Sequence, residues 1–291
     1  MSSSDEANAA DLQGWVGRAR EDEGRLDPAF AAMLGATLRE DWTPNSRFAP
    51  GDAAPPLWHW AAFPPTTPMK RLAADGHAKK GDADALLPDV GLERRMWAGG
   101  AFRFLQPIRI GEALKRRSRI ASIRRKTGSA GPMAFVAVEH EIEGERGRAI
   151  QEIHDVVYLN IPERYSPPAP VPAPEKPDHQ AHASIDPVRL FRYSACTFNS
   201  HRIHYDLQYA TEVERYPGLV VHGPLQATLL IEAATRWRGA PPSAFRYRGV
   251  RPMFHFDDLS LFGVETGDGG LDLCTADPGG AQGMRARADW T

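Results

Sequence analysis

His222 to Trp237, HGPLQATLLIEAATRW, reads as a helix with almost no polar face. Leu225, Ala227, Leu229, Leu230, Ile231, Ala233 and Ala234 surround a 3.6-residue turn on nearly every side, the pattern of a helix buried on most of its surface. Pro224 fits its first turn, where a missing amide proton costs no intrahelical bond. Outward from this helix the chain reads as strands. Antiparallel strands follow it, and upstream, from residue 96 to 160, apolar and polar residues alternate between glycine turns. Phe102-Arg103-Phe104 and Phe135-Val136-Ala137-Val138-Glu139-His140-Glu141-Ile142 are examples, and they predict an antiparallel sheet with one wet face. A sheet wrapped around a buried helix, an α+β architecture, accommodates both patterns.

A proline cluster, IPERYSPPAPVPAPEKP at 161–177, forbids a continuous helix or a central strand. It reads as an extended linker over 161–180 between a front domain, 1–160, and a back domain, 181–291, each near the size of one small domain. In the front domain residues 5–40 read as helical, with Leu12, Trp15, Val16 and Ala19 at i, i+3, i+4 and i+7 and a second run over Pro28–Leu38. Residues 53–77 are rich in Pro and Trp, too irregular for a long element and too apolar for a free loop. In the back domain Phe191–Thr197 reads as a strand or its approach. Residues 1–10 read as mobile. The halves share no legible sequence repeat.

Composition narrows the classes of function. Among 291 residues, 35 Lys+Arg nearly cancel 37 Asp+Glu, so no whole-chain positive field exists to gather nucleic acid or an anionic membrane. The N-terminal MSSSDEANAADLQGW lacks the basic and apolar regions of a secretory signal, and no apolar run is long enough to span a bilayer. Two cysteines, Cys196 and Cys274, make neither a disulfide framework nor a C-x-x-C pair. A soluble cytoplasmic protein is expected, without nucleic-acid or membrane partners.

Chemistry concentrates in FNSHRIHYD at 198–206 and in VVHGP at 220–224. A solvated turn and a buried strand ending at Gly-Pro would account for both equally well on composition alone. His201, His204, Asp206 and His222 could supply metal ligands, but no H-E-x-x-H helix or cysteine cluster accompanies them, and no metal is expected. There is no G-x-S-x-G elbow, and the glycine pairs at 267–270 and 279–280 read as hairpin turns rather than phosphate loops.

The spacing of these residues resembles the type-2 enoyl-CoA hydratases, or MaoC-like dehydratases, whose motif is G-D-x-N-P-x-H-x-D. Laid on it, His204 takes the place of the family's catalytic histidine and Asp206 that of its last aspartate. Asn199 stands where the family has its catalytic aspartate, His201 where it has asparagine, and Arg202 where it has proline. These departures point to the hydroxyacyl-thioester dehydratase type 2 proteins and the mesaconyl-C4-CoA hydratase branch, for which NSHRIHYD is the expected form. PPLWHWAAF at 55–63, DGH at 75–77 and RRMWAGG at 94–100 look like the noncatalytic N-terminal half of that branch, so the likeness covers nearly the whole chain.

The resemblance implies a double hot-dog fold, each half a curved antiparallel sheet around a long buried helix, with the site served by the back half. It implies an acyl-CoA thioester as substrate, water added or removed across its α,β double bond, and no cofactor beyond the CoA of the substrate. His204 would move the protons, and Asn199, which has no useful proton affinity, would hold the water. Gly223 N–H at the helix start would stabilise the thioester oxyanion. His201, Arg202, Asp206 and His222 would orient the site or touch substrate. Trp58, His59, Trp60 and Phe63 would form an apolar wall, and Arg94 and Arg95 would steer CoA phosphates or a terminal carboxylate. The branch favours mesaconyl-C4-CoA or itaconyl-CoA. The alternatives are a dehydratase of fatty-acid synthesis and a noncatalytic acyl-CoA-binding subunit. Monomer and homodimer both fit, since a double hot-dog already contains one pair of halves.

Overall fold

The computed structural model describes residues 12–43, 47–81, 85–128 and 131–290. Its frame is one ten-stranded antiparallel sheet in the order β1-β3-β4-β5-β2-β7-β10-β9-β8-β6. The front half supplies β1 (Ala19–Gly24), β2 (Arg94–Phe104), β3 (Leu114–Gly128), β4 (Gly131–Gly144) and β5 (Gly147–Leu159). The back half supplies β6 (His179–Ala183), β7 (Ala244–Gly249), β8 (Leu259–Glu265), β9 (Leu271–Ala276) and β10 (Gln282–Asp289). The halves meet where β2 pairs with β7, from Gly99↔Arg248 to Arg103↔Ala244. The expected alternation holds in β4, where Ala134, Val136, Val138, His140 and Ile142 are all buried.

Helix α3 (Gly223–Arg238) is buried from Pro224 to Ala234 and ends at Gly239 in the left-handed conformation. Each of Leu229, Leu230 and Ile231, nearly or fully buried, contributes on the order of 1.5–3 kcal/mol. Of its three buried polar residues, Thr228 donates to Pro224 O within the helix at 2.8 Å and the other two are satisfied from other elements. Gln226 Oε1 accepts from Thr275 Oγ1 at 2.7 Å, and Glu232 accepts from Trp58 Nε1 at 2.7 Å and Arg39 Nε at 3.0 Å. Those bonds to Glu232 tie the back-half helix to the front half. The helix of the front half, α1 (Pro28–Leu38), has the bounds read for the second helical run and packs against α2 (Pro187–Thr197) and the 3-10 turn Trp58–Ala62.

Two local expectations are corrected. Residues 19–24 are not helical: β1 pairs with the basic edge of β3, placing Glu21, Asp22 and Glu23 opposite Arg117, Arg116 and Lys115, with Arg116 Nη2 donating to Asp22 at 2.9 Å. Phe191–Thr197 is the body of α2, begun by Asp186, whose carboxylate accepts from Arg189 N at 2.7 Å, and by Pro187 in the first turn. The proline segment holds no regular element and is pinned to the back sheet, where Gln282 N–H donates to Val171 O at 2.8 Å. Residues 1–10 lie outside the described residues. Among the described residues no helix is long and apolar enough to cross a membrane.

Candidate active site

The site gathers where three irregular segments meet the head of α3. Helix α2 ends with Phe198 in the left-handed conformation, and Asn199 N–H closes the cap on Ser194 O at 2.8 Å. Asn199 Oδ1 then accepts the His201 N–H at 3.0 Å, an Asx turn that launches the 3-10 turn Arg202–His204. The carbonyl oxygen of Asn199 therefore shapes backbone, and only its amide nitrogen remains for a ligand.

His204 is buried, and its Nδ1–H donates to Val220 O at 2.7 Å, leaving Nε2 as the basic nitrogen of the ring. Burial, with His201 adding to it, pushes its pKa down to about 3 against the opposing pull of Val220 O, so the ring is neutral at pH 7. His222, wholly buried at the N-cap of α3, stacks on His204 and shares a 2.8 Å hydrogen bond between its Nε2 and Ser194 Oγ. Burial and the neighbouring histidines hold it well below the usual range. Gly223, the first residue of α3, has no acceptor for its N–H among the described residues. A Cβ there would meet only ordinary contacts, the nearest being Trp97 O at 3.8 Å, so its lack of a side chain leaves open backbone rather than relieving a clash.

The loop Asp75-Gly76-His77 of the front half lies on this motif. Ser200 Oγ donates to Gly76 O at 2.5 Å and Arg202 N–H donates to Asp75 O at 2.9 Å. The His77 ring sits 4.1 Å from that of His201 and bonds Asp75 Oδ2 through Nδ1 at 2.9 Å. Asp75, His77 and His201 bring ligating atoms within 4.8 Å of one another, a grouping that sequence spacing does not reveal. Burial, then Arg95, then His201 hold His77 well below the usual range despite Asp75.

Arg202 and Asp206 take the orienting role among those expected of them, whereas other expected roles change. Arg202 donates to Asp206 Oδ2 through Nε at 2.9 Å and Nη2 at 2.7 Å, and Asp206 Oδ1 caps the next turn at Tyr209 N, so both residues build the loop. Arg94 cannot steer CoA phosphates: it is buried, and its Nε donates to Glu214 Oε2 at 2.7 Å. Glu214, absent from the sequence reading, lies 3.9 Å from His201 Nε2 through its other oxygen. Burial pushes its carboxyl up, but His201 and Arg94 outweigh that and hold it below its ordinary value. Trp58, His59 and Phe63 are core residues and not an exposed wall. Trp60 donates to Glu152 Oε1 at 2.8 Å and packs at 5.1 Å on Trp97, and both tryptophans are half-buried. Trp97, which stands against Gly223, was not singled out individually, because its position depends on the β2–β7 seam.

Taken together, a tautomer-fixed imidazole, an open helix N-terminus and a side-chain amide make a site able to move protons beside a developing oxyanion.

Comparison with known proteins bears on the family and the fold. The family model described as hydroxyacyl-thioester dehydratase type 2 matches residues 57–255. A mesaconyl-C(4)-CoA hydratase of Chloroflexus aurantiacus is 39% identical over 289 residues, covering 97% of this chain and 99% of that protein. A mitochondrial hydroxyacyl-thioester dehydratase type 2 of Schizosaccharomyces pombe is 27% identical over 249 residues, 76% of this chain and 81% of that one. Among solved structures, a MaoC-like dehydratase superposes with TM-score 0.70 at 16% identity, covering 96% of this chain and 100% of its own. A Mycobacterium tuberculosis protein described as a double hot-dog superposes with TM-score 0.55 at 15% identity, covering 94% and 95%. The likeness establishes the double hot-dog fold.

Proposed function

Since the chain belongs to the hydroxyacyl-thioester dehydratase type 2 family, we propose that it is a hydro-lyase acting on a short dicarboxylic acyl-CoA, mesaconyl-C4-CoA first, to give citramalyl-CoA. The observation that carries this reading is the pairing of His204, anchored through Nδ1 to Val220 O, with the unengaged N–H of Gly223 at the head of α3. Near-full-length likeness to the Chloroflexus hydratase supports the substrate.

In the hydration direction His204 Nε2 takes a proton from water as its oxygen bonds to the β-carbon. The π electrons move to the thioester oxygen, where Gly223 N–H and the α3 dipole meet the negative charge. His204 then returns that proton to the α-carbon, so water is added and the ring ends as it began. Burial keeps the imidazole in its free-base form beforehand, and the enolate charge balances the imidazolium between the two transfers. The Asn199 amide nitrogen holds the water. Each proton and charge in this scheme has a protein group assigned to it, and no cofactor enters the steps. A 3-hydroxyacyl-thioester dehydratase of fatty-acid synthesis is the second reading, favoured by the Schizosaccharomyces relative.

The test follows loss of the enoyl-thioester ultraviolet band with mesaconyl-C4-CoA, itaconyl-CoA and crotonyl-CoA. Turnover of a dicarboxylic substrate should fall about 10²–10⁴-fold in His204→Ala. Near-normal turnover in that variant would remove His204 from the mechanism, and preference for crotonyl-CoA would favour the second reading.

A further inference from the structure

β2 carries two adjacent arginines on opposite faces of the strand. Arg94 is committed to Glu214. Arg95 is half-buried and forms no ion pair with any described residue. Directly across the ladder, in the pair Arg95↔Tyr158, stands a wholly buried tyrosine whose hydroxyl faces the Arg95 guanidinium and has no other partner among the described residues. Burial raises the Tyr158 phenol, while the Arg95 charge beside it acts in the opposite sense.

This pair borders the site on two sides. The Arg95 charge reaches His77, whose ring is 4.1 Å from His201, and His201 is in turn 5.4 Å from His204. Two residues along the same face of β2, about 7 Å away, Trp97 adjoins Gly223. Of the nearby carboxylates, Asp75 engages the His77 ring and N–H, Glu214 engages Arg94, and the exposed Asp89 accepts from Gly91 N–H at 2.9 Å. Lys80, near Tyr158, donates to the carbonyls of Leu92 and Glu93. A half-buried guanidinium without a counter-ion among the described residues, beside a buried hydroxyl that faces only that guanidinium, is a place for an anion with two oxygens.

We propose that Arg95 and Tyr158 form a carboxylate subsite that receives the free acid group of a dicarboxylic acyl thioester. The proposal rests on the hydratase reading above. In mesaconyl-C4-CoA the free carboxylate is attached to the β-carbon itself, so the group that reads it belongs beside the group that delivers water. Arg95 beside the His77–His201–His204 row meets that requirement. The planar guanidinium fork would hold the acid in one orientation and present the β-carbon to His204.

The experiment compares wild type with Arg95→Gln, Arg95→Lys and Tyr158→Phe on mesaconyl-C4-CoA and crotonyl-CoA, with circular dichroism to verify folding. Arg95→Gln should lower kcat/KM on the dicarboxylic substrate about 10²-fold and Tyr158→Phe about tenfold, with crotonyl-CoA changed much less. Succinyl-CoA and butyryl-CoA, alike except for a carboxylate in place of a methyl group, then serve as inhibitors of whichever hydration the enzyme performs. Wild type should bind succinyl-CoA the more tightly, and Arg95→Gln should lose that preference. Should Arg95→Gln fail to fold, Tyr158→Phe carries the same comparison. Equal losses on both substrates, an intact succinyl-CoA preference, or a wild type that hydrates only crotonyl-CoA overturns the subsite. A wild type inert on every enoyl thioester overturns the hydratase reading, and the subsite with it.

Discussion

His204 and His222 lie ring on ring, their centroids 3.6 Å apart and their planes 18° from parallel. Two imidazolium ions could not share that stack at so short a separation, so each ring helps keep the other neutral. Each is also fixed by one hydrogen bond, His204 to Val220 O and His222 to Ser194 Oγ. The stack joins the 3-10 turn that carries His204 to the N-cap of the buried helix. The proton acceptor and the oxyanion donor of the proposed mechanism are thereby held in one rigid unit.

The pH dependence of activity should reveal that burial. With the His204 pKa pushed down to about 3, kcat/KM for crotonyl-CoA should stay level as pH falls from 8 to 5, without the inflection near 6.5 of an ordinary histidine. A pH–rate profile measured in mixed buffers of constant ionic strength checks this. A half-maximal point near 6.5 would show that the base is solvated in the free enzyme, or is another residue.

Stability should respond to pH where activity does not. His77, His140, His204 and His222 all have folded pKa values below their ordinary 6.5, with burial the largest cause in each. Below pH 6.5 the unfolded chain therefore binds more protons than the folded one. Stability present above that pH is lost as the pH falls towards the lowered values, about 3 for His140 and His204. Each histidine adds up to about 1.4 kcal/mol per pH unit to the slope. Urea denaturation at pH 7.5 and 5.5 measures it, and equal midpoints would contradict the burial of these rings.

Gly76→Ala should uncouple the loops. Gly76 has φ +90°, and a Cβ there would lie 1.8 Å from Ser200 O, with rigid backbone on both sides. The side chain would force Asp75-Gly76-His77 off the motif and shift His201 and Arg202 with it. A displacement of about 1 Å is enough for roughly a 10²-fold loss of activity. Steady-state kinetics with a far-ultraviolet spectrum checks it; full activity would mean that the front loop does not position the motif.

What the sequence made legible follows from physical range. Alternation in β4 and the all-round apolar pattern of α3 are local signals backed by deep burial, so the sheet and its helix could be read directly. The strand β1 could not, because Glu21, Asp22 and Glu23 acquire their reason only from Arg117, Arg116 and Lys115 almost a hundred residues away. His204 and Asn199 were found through their motif, and the structure joins them to His222 and Gly223. Glu214 lay beyond the motif, after the π-helical turn Tyr209–Val213, and its partner Arg94 is 120 residues distant. Arg94 looked like a surface charge for the same reason: one strand in isolation does not show which face the other half covers.

That distant pair gives the last prediction. The Arg94 and Glu214 side chains are only 5% and 3% exposed, joined from Nε to Oε2 at 2.7 Å and again from the guanidinium to the Glu214 carbonyl. The guanidinium also lies 4.3 Å over the Tyr216 ring. Removing either partner leaves the other as an uncompensated buried charge, which costs about 3–5 kcal/mol. Arg94→Met and Glu214→Leu should each lower the unfolding free energy obtained from urea denaturation by that amount. The double variant should recover most of it, because an apolar pair of similar volume escapes the desolvation penalty of both ions. Recovered stability should not restore activity, since Glu214 also faces His201 Nε2 at 3.9 Å and its loss releases the ring that stands between His77 and His204. If the double variant were both stable and fully active, the pair would serve only to join the two halves, and the alignment of His201 would come from His77 alone.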